Sequence, residues 1–566
     1  MDSMLNTIEA LFTTGEPFVN RFLQALNGYR IYINTKCSNL EPIQLIFATV
    51  AIMWLLRKVK LRMTPNLNES RRALINRKLF QMLMKVPFIG HYIHNEIQKT
   101  KEAVEKELMS PFKNEKFYVE VPRNGYSVDE VVEEVKRYQN LSRIKWQEGR
   151  VSGAVYANCH NDDLNNLMST VYSITAYTNP LHADIFPGIR KMEAEVVRMT
   201  LSLFNAPEDA CGSVTAGGTE SILLMCKAYR DYARYVRGIQ NPEMVVPVTA
   251  HAAFDKAAQM LSMKIKHVAI DNNSMKVNMN AMRKAINGNV CMLVASAPGF
   301  PHGIIDPVSE IAELGLKFSI PVHVDCCLGG FLVPFVEKSG FGELYCDFRV
   351  DGVTSISADT HKYGFAPKGS SVIMYSDKKY RHFQFSVQTD WPGGVYASPN
   401  VGGSRSGATI ATCWASLLYH GFDGYVKATK AILTTTNYLK EELSKIEGIF
   451  VYGEPKLSVI AVGSNRFNIL RLSDDLSTKG WNLNPLQFPP GFHICVTLMH
   501  TTPGVANNFI EDVKTLTAEI LRNPNVKLKG AAAIYGTAQS IPDRSLVSSL
   551  ALQYLDSYYT TTFSSD

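Results

Sequence analysis

The sequence predicts an α/β fold, a largely parallel sheet covered by helices on both faces, followed by a smaller α+β unit. Three observations point there. Short apolar runs recur beyond about Leu164, at MVVPVTA (244–250), KHVAI (266–270), NVCMLVASA (289–297), PVHVD (321–325), GVTSISA (352–358) and SSVIMYS (370–376). Most are separated by stretches long enough for helices, such as Thr219 to Val236 and Asn278 to Ile286. Buried strands alternating with helices make βαβ units. The composition, 46% hydrophobic and 19% charged, is that of an ordinary folded chain and excludes general disorder. At 566 residues the chain exceeds one compact core.

In chain order, the first distinctive element is Ile43 to Leu56, IQLIFATVAIMWLL, which carries no charge. Its 14 residues span about 21 Å as a helix, short of a hydrocarbon core of roughly 30 Å. Trp54 and the long stems of the following RKVKLR (57–62) extend its reach. Four cations in those six residues, against four acids and three bases in the 42 residues before the run, orient the C-terminal side to the cytoplasm. The expectation is a single-pass membrane helix over 42–57, a lumenal segment over 1–41 and a cytosolic helical segment over 58–165. A large domain over 166–420 and a small C-terminal domain over 421–566 follow. The last carries a helical run at 428–446, short strands at FVYG and LSVIAVG, and a helix near 507–523.

Composition also narrows the function. A net charge of +6 spread over this length is too weak for a nucleic-acid protein. Ten cysteines with no CxxC pair suit reduced thiols in a cytosol-facing enzyme, and no zinc-ligand spacing is present.

Three motifs carry chemistry. Ser213 to Ser221, SVTAGGTES, precedes a helical run, so glycines allow close backbone approach and free N–H groups favour an anion near Gly218 and Thr219. PVHVD ends a buried strand with Asp325, a costly place for an acid without a partner. SISADTHKYG places Lys362 beside His361 just past a strand, where a desolvated lysine near cations is expected to lose pKa and become a nucleophilic amine. Singly, each has an ordinary reading: an N-cap, a turn cap, a surface charge. Together they form what pyridoxal 5′-phosphate needs, an amine for its aldehyde, a carboxylate for its ring nitrogen and a helix N-terminus for its phosphate. His251, directly after a strand, adds a ring that can stack on the cofactor.

The chain resembles the sphingosine-1-phosphate lyase family of fold-type I pyridoxal-phosphate enzymes, which is related to the group II amino-acid decarboxylases. The resemblance runs from roughly Pro122 to Ser557. It rests on RVSGAVY (150–156), NPLHADIFPGIRKMEAEVVRM (179–199), AGGTESILLMCKAYRDYA (216–233), HAAFDKAA (251–258), FPHGIIDPV (300–308), SADTHKYGFAPKGSS (357–371) and WNLNPLQFPP (481–490). It implies a transferase-like large domain with a mostly parallel seven-stranded sheet, and an endoplasmic-reticulum membrane protein with a cytosolic catalytic domain.

By the same resemblance, Lys362 carries the cofactor, Asp325 keeps its ring nitrogen protonated, His251 stacks on one ring face and Cys327 covers the other. Gly218, Thr219 and His361 match the phosphate groups. Gly403 and Ser404 match a loop lent by the partner subunit, which implies a homodimer with sites at the interface. Tyr156, His182 and Lys368 match positions for the substrate phosphate and the acid–base work, with His302 in the same pocket. The sequence departs from the family pattern at Ala216, at Cys326 and over 157–166.

The implied reaction is retro-aldol cleavage of a membrane-partitioned, phosphorylated sphingoid base to a long-chain aldehyde and phosphoethanolamine. The rivals are an amino-acid decarboxylase using the same Lys362, Asp325 and His251, and an inactive homologue that keeps only the fold.

Overall fold

Which face each strand residue buries decides the architecture. The computed structural model describes residues 86–142, 144–524 and 544–562, with isolated positions at 27, 28, 31, 35, 78 and 82. The expected membrane helix lies outside the described residues, as does the segment before it apart from positions 27, 28, 31 and 35. Among the described residues no helix is long and apolar enough to cross a membrane. Residues 1–74 and 75–566 form separate compact units, and the sheets lie in the second.

The strands are β1 (Cys211–Thr215), β2 (Glu243–Pro247), β3 (Lys264–Val268), β4 (Val290–Ser296), β5 (Val322–Cys326), β6 (Val353–Ala358) and β7 (Ser371–Tyr375). They make one seven-stranded sheet in the order β1-β7-β6-β5-β4-β2-β3. Only β7 runs against the rest, pairing antiparallel with both β1 and β6. Successive side chains of a strand point to opposite faces. Met244, Val246, Met292, Val294, Ile373 and Tyr375 accordingly join one apolar cluster, while Val245, Leu293, Ala295, Val372 and Met374 join another. Helices Gly218–Tyr235 and Ala253–Met260 contribute to the first cluster, and Pro187–Leu203 and Val308–Phe318 to the second. Both faces are therefore dry, which is why the sequence shows continuous apolar runs rather than alternation.

β1 is the strand that the apolar runs do not announce. CGSVT holds a glycine and two hydroxyl side chains, and it becomes a strand through its ladder to the distant β7, from Cys211 opposite Tyr375 to Thr215 opposite Ser371. A two-stranded ribbon, β8 (Ser386–Gln388) with β9 (Tyr396–Ser398), follows. The C-terminal sheet contains β10 (Phe450–Val451), β11 (Val459–Gly463), β12 (Asn484–Leu486) and β13 (Gly491–Cys495), antiparallel throughout in the order β10-β11-β13-β12.

A helix over Gly407–Ser444 precedes that sheet and kinks at Gly421, whose φ of 58° a side chain would resist. The kink falls where the sequence texture changes. Upstream, VDEVVEEVKRYQ forms the helix Val128–Gln139, started by a reciprocal capping box between Ser127 and Glu130.

Three buried histidines set an acid limit on this fold. Burial pushes His323, His493 and His500 each down to about 4, with only minor offsets from neighbouring groups. The unfolded chain, with ordinary histidines near 6.5, then binds more protons between those values, so stability rises with pH across that window. Each histidine is expected to cost up to about 3 kcal/mol as pH falls from 6.5 to 4. Urea midpoints measured across this interval should fall steadily, and a flat profile would show that the imidazoles are charged in the fold.

Candidate active site

The sheet topology gathers the candidate residues before any side-chain contact does. β1, β2, β5 and β6 run in the same direction, so their C-terminal ends share one edge. Ligands of such sheets collect at that edge. Thr215 leads there to Gly217 and Gly218, Pro247 to His251, and Ala358 to Lys362, while Asp325 sits near the end of β5. A cavity of about 880 Å³ opens at this edge and is lined by Gly218, Thr219, His251, Asp325, Cys327, His361, Lys362 and Ser404.

The anion-binding end is built by close packing. Gly217, with φ 156°, is the N-cap of helix Gly218–Tyr235, and no side chain caps its free N–H groups. Buried hydroxyls lock the start of this helix to the sheet: Thr215 Oγ1 lies 2.7 Å from Ser221 Oγ, which lies 2.9 Å from Ser371 Oγ. Glu220 accepts from the Ala216 N–H at 2.6 Å and from the Val401 N–H at 3.1 Å, tying the 401–407 loop to the same end. A Cβ on Gly218 would stand 2.8 Å from both Cys327 Sγ and Asp359 Oδ1. Gly218→Val is expected to weaken cofactor binding at least about tenfold, the equivalent of a clash of about 1.4 kcal/mol. Absorbance titration of the cofactor-free protein measures this, and unchanged affinity would mean that the cradle lies elsewhere.

Asp325 is buried and its Oδ1 accepts from the Cys327 N–H at 3.0 Å and the Ser357 hydroxyl at 3.4 Å. The Cys327 thiol in turn donates to Ser357 Oγ at 3.1 Å. His251 is exposed at the mouth of the cavity. Its Nδ1 accepts from the Ala253 N–H at 3.1 Å and its ring meets Phe300 edge-on at 5.9 Å. His361 Nδ1 donates to the Ser370 carbonyl, which fixes the ring, and burial lowers its pKa.

Lys362 departs from the sequence expectation. A lowered pKa is expected of a lysine near cations, but this one is raised. Burial is the largest single influence and opposes its charge, yet the Asp359 carboxylate, with Oδ2 at 2.8 Å from Nζ, and more weakly Asp325 favour the ammonium, and the net shift is upward. Asp359 is the site residue that the motif reading omits, although it lies within the quoted SADTHK. An acid three residues before a lysine reads as an ordinary surface pair; here it is 2% exposed.

A second group, Tyr156 and Lys368, lies outside the cavity lining, so these two expected residues join the three described below. Tyr156 is buried, its ring edge-on to Tyr363 at 4.9 Å, with Lys368 Nζ 5.0 Å from its centroid. Burial pushes the Tyr156 phenol well above its usual range, helped by Cys495 and Asp359. Lys368 is lowered by burial and by the neighbouring Lys362.

Three expected residues stand apart. His182 is exposed on the turn that begins at Asn179, whose side-chain amide donates to Ser404 Oγ at 3.1 Å. His302 is buried outside the lining, its ring edge-on to Tyr452 at 5.4 Å, and burial pushes it down to about 4. Gly403 is also absent from the lining and packs against the Tyr396 hydroxyl, whereas Val401, Gly402 and Ser404 of the same loop face the cavity of their own chain.

These residues fit pyridoxal 5′-phosphate: an amine, a strand-end carboxylate, a stacking imidazole and an uncapped helix N-terminus surround one cavity, and Gly218 leaves the space that a Cβ would fill. Comparison with known proteins agrees. The pyridoxal-dependent decarboxylase conserved domain matches residues 112–462. Sphingosine-1-phosphate lyase 1 of Rattus norvegicus is 50% identical over 551 residues, 95% of each chain. The sphingosine-1-phosphate lyase of Saccharomyces cerevisiae is 42% identical over 490 residues, 86% of this chain and 82% of that one. A solved sphingosine-1-phosphate lyase of Burkholderia pseudomallei superposes with a TM-score of 0.73 at 35% identity, covering 80% of this chain and 99% of its own. With the decarboxylase domain over residues 112–462 and 50% identity to a named lyase over 95% of its length, the chain belongs to the sphingosine-1-phosphate lyase family of pyridoxal-dependent enzymes.

Proposed function

We propose that this protein cleaves phosphorylated sphingoid bases, sphingosine 1-phosphate and its dihydro form, between C2 and C3 to a long-chain aldehyde and phosphoethanolamine, a terminal step of sphingolipid degradation. The observation that carries this reading is the convergence of Lys362, Asp325, His251 and the open helix N-terminus on one cavity, in a chain half identical to named lyases. Bound pyridoxal 5′-phosphate supplies the electron sink for the pair released when the C2–C3 bond breaks. Lys362 holds the cofactor through its ε-amine. Asp325 holds a proton at the ring nitrogen, and Cys327 N–H and Ser357 keep its carboxylate in place. His251 and Cys327 would lie against the ring and Gly218, Thr219 and His361 would hold the phosphate, all five lining the one cavity.

Tyr156 works as a neutral phenol, because burial keeps its proton on. It therefore donates or relays a proton and does not start as a phenolate base. Lys368, whose charge burial and Lys362 disfavour, regains it by pairing with the substrate phosphate, with His182 brought in from the exposed turn. A homodimer is supported by apolar side chains left in water beside the cavity loop: Tyr177 is 97% exposed, and Ile174, Leu418 and Phe422 are exposed on helices that pack together. Gly403 would then serve the partner's site, whereas Ser404 lines the cavity of its own chain. The apolar Ile43–Leu56 run and the cations after it support an endoplasmic-reticulum anchor, suited to a substrate that partitions into lipid at about 0.8 kcal/mol per CH₂.

Product analysis with a labelled phosphorylated long-chain base tests the reading. Aldehyde and phosphoethanolamine are expected. Carbon dioxide from aromatic amino acids, with no aldehyde, would instead identify a decarboxylase, and no product from either an inactive homologue.

A further inference from the structure

Asp359 is a charge that the mechanism above leaves without a task. It follows β6, is 2% exposed, and reaches Lys362 Nζ with Oδ2 at 2.8 Å. Its other oxygen, Oδ1, is buried and has no hydrogen-bond partner among the described residues. A buried carboxylate oxygen without a partner is costly and rare. The remaining ionisable neighbours leave the pair isolated. His361 Nε2 lies 3.8 Å from Asp359 Oδ2, beyond hydrogen-bond reach, and burial keeps that ring neutral. The thiol of Cys327 and the phenol of Tyr156 are held protonated by burial. Lys368 is a weakened cation, and Asp325 is already bound by Cys327 N–H and Ser357. The carboxylate in direct contact with the Lys362 ammonium is thus Asp359.

We propose that Asp359 is the positioning residue for Lys362: its Oδ2 aims the ε-ammonium into the cavity and holds the proton on Nζ, so that Lys362 becomes a neutral amine only when this pair is broken. Either charge alone would be costly in a buried site, so each keeps the other in place. The geometry also explains why Gly218 must lack a side chain, since a Cβ there would stand 2.8 and 2.9 Å from the two Asp359 oxygens. The inference rests on Lys362 as the cofactor lysine, but it concerns the amine before the cofactor arrives.

Trace acetic anhydride labelling of the cofactor-free full-length protein, read by mass spectrometry of the Lys362 peptide across pH, tests it apart from the lyase reaction. Wild-type Lys362 should label with a midpoint above the ordinary lysine value. Asp359→Asn should raise its labelling rate at pH 8 at least about tenfold, one unit of pKa or more. Asp359→Glu, which keeps the charge, should stay near wild type. Lys227, remote in the same digest, reports whether the variant has kept its fold. Equal rates in wild type and Asp359→Asn would overturn the proposal. If that variant fails to fold, a wild-type midpoint below the ordinary lysine value overturns it, and one above supports it. Failure of the lyase reading would leave this profile unchanged.

Discussion

A Lys362→Ala variant is expected to lose both the cofactor's visible absorbance band and all aldehyde release, while keeping its fold. Lys256 is the other lysine that lines the cavity, and it is exposed. Lys368 Nζ lies over the Tyr156 ring, 5.0 Å from its centroid, and does not line the cavity. Truncation also strands Asp359, which is 2% exposed and loses its 2.8 Å partner. Breaking a buried pair from one side costs about 3–5 kcal/mol, so a lower melting temperature should accompany the loss. Tyr156→Phe offers the contrast. Positioned proton transfer contributes about 10²–10⁴-fold, so that variant should keep its absorbance band and a measurable residual rate. Full activity in Lys362→Ala, or an unaltered spectrum, would remove the basis of the mechanism.

Asp325→Asn should be the next most damaging change. The asparagine keeps the shape and can still accept from the Cys327 N–H, which Asp325 now binds at 3.0 Å. It removes the one negative charge at the end of β5. Preorganised electrostatic groups of this kind are worth about 10²–10³-fold in rate, and the loss should fall on kcat rather than on KM. Because Asp325 also adds to the raised pKa of Lys362, though less than Asp359 does, the spectrum of the bound cofactor should shift as well. A kcat within threefold of wild type, roughly 0.7 kcal/mol, would argue that the carboxylate only caps the turn to Cys327.

The sheet is legible in the sequence where burial on both faces leaves no choice of residue. β4 and β5 are buried along their whole lengths; β4 reads as an apolar run, and β5 alternates valines with His323 and Asp325. β1 is not legible, because its CGSVT composition is dictated by the cradle it leads into and its strand state by a ladder to the distant β7. The cofactor residues Lys362, Asp325, His251, Gly218 and Thr219 are legible because each sits where a strand ends, and strand ends on a parallel sheet meet. Asp359 is missed because only the packed turn beneath Gly218 turns a helix-like i, i+3 spacing into a buried pair. The sign of the Lys362 shift is misjudged for the same reason, the nearest charge being an acid three residues upstream. The positions of His302 and His182 depend on how distant loops fold back, so the motif that names them does not seat them in the cavity.

The central claim is that one lysine amine bears the cofactor at the edge of the sheet beside Asp325. Borohydride reduction of the purified protein, followed by peptide mass spectrometry, tests it directly. The account predicts a phosphopyridoxyl group on the peptide that contains Lys362 and on no other. The same group on Lys368 or another lysine, or none at all after cofactor saturation, would contradict it.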